Sequence, residues 1–296
     1  MYSFWAFICG VILAVMIQMN GGLSAEFGVY HGALYIHIVG VVFAGIVLAV
    51  KRERLILRQK LPLWIYAGGV IGVLTTVFNN LAFSHISITG IVALGLFAQL
   101  AFSCLIDRFG WFGMEKHKRR DLSIPGIACS VAGIALMLED QTTGQWGYIL
   151  ISLGAGVTVV LSRIVNAHLS NRKGALQGSL INHLVGLPVC LLLALSVPEV
   201  SVSTHFRPWI WCGGILGVIT VAICNVIVPK IPEYRLTLFT MCGQLFSGVL
   251  LDVFNGNALN RRQFGAALLV AAGIGVSRLS KLFSKTPDSG RSRSLQ

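Results

Sequence analysis

Residues 20–40 read NGGLSAEFGVYHGALYIHIVG, and residues 166–186 read NAHLSNRKGALQGSLINHLVG. With the chain displaced by 146, nine of these 21 columns are identical: Asn20/Asn166, Leu23/Leu169, Ser24/Ser170, Gly28/Gly174, Gly32/Gly178, Leu34/Leu180, His37/His183, Val39/Val185 and Gly40/Gly186. A displacement of 145 then lays WIYAGGVIGV (64–73) on WIWCGGILGV (209–218). The same displacement pairs Thr75 with Thr220, Asn80 with Asn225, Gln99 with Gln244 and Asp107 with Asp252. Chance does not produce matches in this order over such a length, so the chain is a duplication.

Both copies are strongly apolar. Of the 296 residues, 55% are hydrophobic and only 11% charged, against about 25% charged in a soluble globular chain. With a mean hydropathy of +0.78, most of the chain must have lipid as its solvent. Ten stretches reach the length of a hydrocarbon span: 2–19, 32–50, 63–82, 88–106, 122–138, 147–165, 177–197, 209–228, 236–254 and 263–279. They lack period-2 alternation, which favours helices over barrel strands. Helices also satisfy their own backbone polar groups in lipid. The expected fold class is an all-α integral membrane protein of ten transmembrane helices.

Counting loops alternately, 20 of the 23 Lys and Arg residues fall on one side, and only Arg207, Arg261 and Arg262 on the other. Cytoplasmic loops carry the basic excess, so both termini are expected inside a multi-pass cytoplasmic membrane protein. Residues 1–140 and 145–280 form two five-helix repeats, followed by a basic tail over 281–296. Five is odd, so the second repeat must enter the membrane from the opposite face. One matched loop agrees: Glu26 in the first copy stands where the second has Arg172, followed by Lys173. Inverted repeats of this kind underlie alternating access in many secondary transporters. The N-terminus has no basic n-region and reads as a retained first helix.

The run Gln18-x-Asn20-Gly21-x-Leu23-Ser24, with Gly28, Gly32 and His37-x-Val39-Gly40, resembles the YdcZ-type inner-membrane exporter family. So does its second copy around Asn166, Gly174, Gly178, His183 and Gly186. The resemblance covers nearly the whole chain before the tail. It implies the drug/metabolite transporter fold in its fused two-repeat form, and export of a small metabolite or drug-like solute; it does not imply which solute. The second copy departs from the pattern at Ile164 and Ala167, which replace Gln18 and Gly21.

Gln99, Gln244, Thr75 and Thr220 fall at mid-span and are the candidates for a midplane solute site. The other role open to them is interhelical hydrogen bonding; a threonine can also bond back to its own helix. His37 and His183 come early in their spans, so inversion is expected to put one near each mouth. Together with Asn20, Asn166, Asn80 and Asn225 they are candidate gate or proton-linked residues, or structural hydrogen-bonders. No Asp or Glu is read at a span centre, which argues against proton antiport through a carboxylate. Asp107 beside Arg108 reads as an interfacial ion pair, and Pro188 as a one-sided kink.

A net charge of +12 would suggest nucleic acid in a soluble protein, but no recognition module surrounds these charges. The seven cysteines all lie in apolar stretches without metal-ligand spacing, so neither a metal nor a disulfide framework is expected. No P-loop, G-x-S-x-G, H-E-x-x-H or EF-hand loop occurs, and no cofactor is expected. The chain is read as no enzyme, with a small-molecule solute and the lipid bilayer as partners and a homo-oligomer left open. Two rivals are a non-transporting membrane receptor and a lipid-modifying membrane enzyme; short loops and the scarcity of paired carboxylates count against them.

Overall fold

The computed structural model describes residues 1–53, 61–83, 85, 88–117, 124–138, 146–198, 207–254, 261, 264–266 and 268–273. The chain runs α1 (Tyr2–Phe27), α2 (Val29–Val50), α3 (Gly68–Phe83), α4 (Ile88–Phe109), α5 (Ile124–Leu138), α6 (Trp146–Lys173), α7 (Ala175–Leu195), α8 (Gly213–Ile227) and α9 (Glu233–Phe254). Among the described residues there is no strand. Among the described residues, six helical segments are long and apolar enough to cross a membrane: Tyr2–Phe27, Val29–Val50, Ile91–Phe109, Trp146–Lys173, Ala175–Leu195 and Pro208–Lys230. Gly68–Asn79, Ile127–Leu136 and Phe264–Gly273 are shorter apolar helices. Large apolar side chains such as Ile46, Leu150 and Leu192 stand exposed on the outer surface. In water such a surface would associate; in acyl chains it is the ordinary lipid-facing exterior.

The first and sixth helices run well past the expected spans 2–19 and 147–165. The polar segments that follow stay helical because they are packed rather than solvated. Leu23 and Glu26 are buried in α1, and Asn166, Leu169, Ser170 and Lys173 in α6. Each long helix then ends at one residue, Gly28 at φ 77° and Gly174 at φ 89°. Positive φ suits glycine, which has no Cβ to clash, and the next helix starts at once.

Close approaches repeat with the halves exchanged. Gly10 of α1 lies on the Thr240 carbonyl of α9, and Gly156 of α6 on the Gly95 carbonyl of α4. Gly69 of α3 lies on Asn182 and Gly186 of α7; its counterpart Gly214 of α8 lies on Ile36 and Gly40 of α2. Gly32 meets Ser24, and Gly178 meets Ser170. At these glycines a Cβ would collide with the neighbouring helix, so small residues let the backbones approach. One apolar cluster joins α4, α5 and α9 through Leu100, Ile134, Tyr234, Met241 and Leu245.

Candidate functional site

α2 and α7 carry the matched histidines and pack directly on each other. His37 and His183 are both buried, with ring centroids 5.5 Å apart and planes inclined at 51°. Each ring sits on the partner helix's glycine: His183 covers Gly40, and His37 covers Gly186. Val73 also borders Gly186, and Gly217 faces His183 Nε2. This corrects the expectation of one histidine near each mouth. The helices begin at Val29 and Ala175, earlier than the spans read from hydropathy, which moves both histidines toward mid-helix. There α2 and α7 cross, and residues related by the duplication meet.

The ring chemistry is also duplicated. His37 Nδ1–H donates to the Ala33 carbonyl and His183 Nδ1–H to the Ser179 carbonyl, both at 2.9 Å. A carbonyl can only accept, so these bonds select the tautomer in which Nε2 carries the lone pair. Each Nε2 is turned toward the opposite helix. The Cys190 Sγ lies 3.4 Å from His37 Nδ1.

The asparagines flank this crossing at helix starts. Asn20 Oδ1 lies on Gly213, the first residue of α8, and Asn166 Oδ1 on Gly68, the first residue of α3. Asn166 Nδ2 donates to Ser162 Oγ at 3.2 Å, and Asn225 Nδ2 to the Ala175 carbonyl at 3.1 Å. The side-chain oxygens of Asn20, Asn166, Asn182 and Asn225, and the Thr220 hydroxyl, are buried with no hydrogen-bond partner among the described residues. Buried polar groups are normally paired, so this belt of acceptors sets the region apart from the apolar packing around it. Asn80 lies in α3, but its side chain is outside the described residues.

The mid-span polar residues sit on four helices, α3, α4, α8 and α9. Thr75 Oγ1 bonds Thr158 Oγ1 at 2.8 Å and the Ile71 carbonyl at 3.2 Å, which joins α3 to α6. Thr220, its match, is buried in α8. Gln99 on α4 and Gln244 on α9 are half-buried.

A buried charge network escaped the sequence reading. Arg163 in α6 is not a loop residue: its Nη2 approaches Glu233 Oε1 at 2.8 Å and donates to Thr237 Oγ1 at 2.9 Å. Glu233 is fully buried at the start of α9, and Ser103 of α4 bonds Thr237 at 2.8 Å. Asp107 makes no pair with Arg108 in this network; its two oxygens accept the backbone N–H groups of Glu233 and Tyr234 at 3.0 and 2.7 Å. It therefore caps α9 across the boundary between the halves. The repeat contained the signal: Arg163 and Glu233 match Ile17 and Ile88, a two-residue break in otherwise apolar positions.

Two features lie at matched positions of the repeat, where Glu26 corresponds to Arg172 and Trp209 to Trp64. The Glu26–Arg207 ion pair, at 2.5 Å, joins α1 to the segment before α8. Phe27, Tyr35 and Trp211 cluster beside it with centroids 5.1–5.6 Å apart; Phe27 meets the other two rings edge to face. Elsewhere, a cleft of about 710 Å3 is bordered by Trp64, Ile65, Phe112, His168, Asn171 and Arg172. There His168 Nε2 lies 2.6 Å from the Phe112 carbonyl and helps hold a turn in which Gly110, Phe112 and Gly113 all have positive φ.

A protein-family model described as "Putative inner membrane exporter, YdcZ" matches residues 1–136 and again residues 147–276. A solved structure described only as "Crystal structure of protein" superimposes with a TM-score of 0.69, covering 96% of this chain and 98% of that one at 16% identity. At that identity the likeness speaks for the fold alone. No curated protein matches the chain.

Proposed function

We propose that this chain, which belongs to the YdcZ family of inner-membrane exporters, moves a small metabolite or drug-like solute across the cytoplasmic membrane by alternating access. The observation that carries the reading is the exchanged packing at the α2–α7 crossing, where His183 lies on Gly40 and His37 on Gly186. Two halves that make the same contacts with roles exchanged can adopt two arrangements of similar energy, each open to one face. Residues 1–140 and 145–280 are the two halves in this scheme, five helices each and inverted in the bilayer, with the 281–296 tail in the cytoplasm.

The paired histidines and Asn20, Asn166, Asn80 and Asn225 work as a gate at the crossing. Thr220 and the unpaired asparagine oxygens face the solute path, with Gln99, Gln244 and Thr75 on its flanks. Neutral, hydrogen-bonding solutes suit a belt made mostly of acceptors. The Arg163–Glu233 pair adds charge to one half only. It is the place where a coupling ion would be felt, which reopens carboxylate-linked transport.

Reconstitution into liposomes with a metabolite panel tests the reading. Wild-type protein is expected to speed the release of a subset of solutes, with His37→Ala and His183→Ala variants impaired for the same subset. Equal retention by empty and protein-containing vesicles, for every solute offered, would reject transport in favour of a receptor role.

A further inference from the structure

We propose that Cys9 and Cys224 form a reversible disulfide that clamps the two halves together in response to lipid-soluble oxidants. Cys9 lies on α1 and Cys224 on α8, and their sulfurs are 3.4 Å apart. Both side chains are buried, at 0% and 5% exposure. The two thiols belong to different halves, 215 residues apart in sequence. The duplication supplies an internal control. The twin interface between α6 and α3 has Ala155 and Asn79 at the matched positions, so helix packing there does not call for facing thiols.

A disulfide needs its sulfurs at about 2.05 Å, so the pair must close by roughly 1.4 Å. The chemistry balances with a quinone dissolved in the bilayer. Two S–H bonds break, one S–S bond forms, and two electrons with two protons pass to the quinone, giving the hydroquinone. Burial decides which oxidant acts. Aqueous glutathione disulfide does not enter the hydrocarbon, whereas an apolar quinone concentrates in the lipid beside α1 and α8 and meets the thiols when those helices part. Disulfides facing a reducing cytoplasm are usually transient and sensory, and this one would be reversed by small membrane-permeant thiols. The clamp rests on the transport reading; formation of the bond does not.

The test uses the full-length protein in lipid nanodiscs. It is treated with a fully ring-substituted isoprenoid benzoquinone, which oxidises thiols but cannot arylate them. Peptide mapping without reductant is expected to show Cys9 joined to Cys224, with two of the seven thiols lost and both regained in dithiothreitol. Glutathione disulfide in the aqueous phase is expected to leave all seven free, and Cys9→Ser to lose none to the quinone. Absence of the Cys9–Cys224 link, or equal thiol loss in Cys9→Ser, overturns the site. Hydrogen exchange reads the clamp: α1 and α8 should exchange more slowly in the oxidised wild type than in oxidised Cys9→Ser. A link that forms with exchange unchanged overturns the clamp.

Discussion

Single residues show why this fold repeats glycine where it does. A methyl group at Gly40 would collide with the His183 ring, and one at Gly186 with His37. Each of Gly40→Ala and Gly186→Ala is expected to destabilise by about 1–3 kcal/mol, the usual range for overpacking, read as a lower unfolding midpoint in detergent. Gly21 and Gly45 are also helical, but a Cβ there meets nothing within 4 Å. Gly21→Ala and Gly45→Ala should therefore hold or raise the midpoint, since alanine lowers the entropy cost of helix formation. If all four fall together, the close-approach account is wrong. The buried ion pair gives a second test. Glu233→Ala leaves the buried Arg163 guanidinium without its carboxylate partner, at a cost of about 3–5 kcal/mol. Arg163→Ile combined with Glu233→Ile restores what the first half already has at Ile17 and Ile88. That double variant should recover most of the loss, as measured by the same unfolding.

At the level of elements, the important joints are helix ends. Asp107, at the last turn of α4, supplies both oxygens to the first N–H groups of α9. Asp107→Ala should destabilise by about 0.5–2 kcal/mol, as cap removals do. Hydrogen exchange should rise first at Glu233 and Tyr234; faster exchange spread evenly along α9 would mean that Asp107 does something other than cap it. Such an aspartate reads in sequence as the partner of its neighbour Arg108, because a cap across 126 residues leaves no local pattern. The ends of α1 and α6 lie beyond the apolar stretches for a related reason. Hydropathy sees Asn20–Glu26 and Asn166–Lys173 as polar loop, whereas burial against the other half keeps them helical up to Gly28 and Gly174.

For the whole molecule, the decisive property is the relation between the halves. Labelling of single cysteines placed near residue 115 and near residue 260 should find them on opposite faces of the membrane, and both termini inside. A shared face would remove the inversion. The Glu26–Arg207 pair also spans the halves, but Arg207 is 46% exposed and such pairs contribute only about 0–1 kcal/mol. Glu26→Gln should leave the unfolding midpoint nearly unchanged while altering solute release; a large stability loss would make the pair a scaffold instead. The sequence by itself determined the lipid solvent, the helical class, the duplication and the family, because these depend on composition and on residues compared along one dimension. It also singled out the histidines and glycines that pack at the crossing. Only the tertiary structure decided that His37 and His183 meet at one crossing, that Thr75 is tied to Thr158 across helices, and that Arg163 finds Glu233. The physical reason is that hydropathy reports how apolar each stretch is, and not which face of a helix turns inward or where two helices cross.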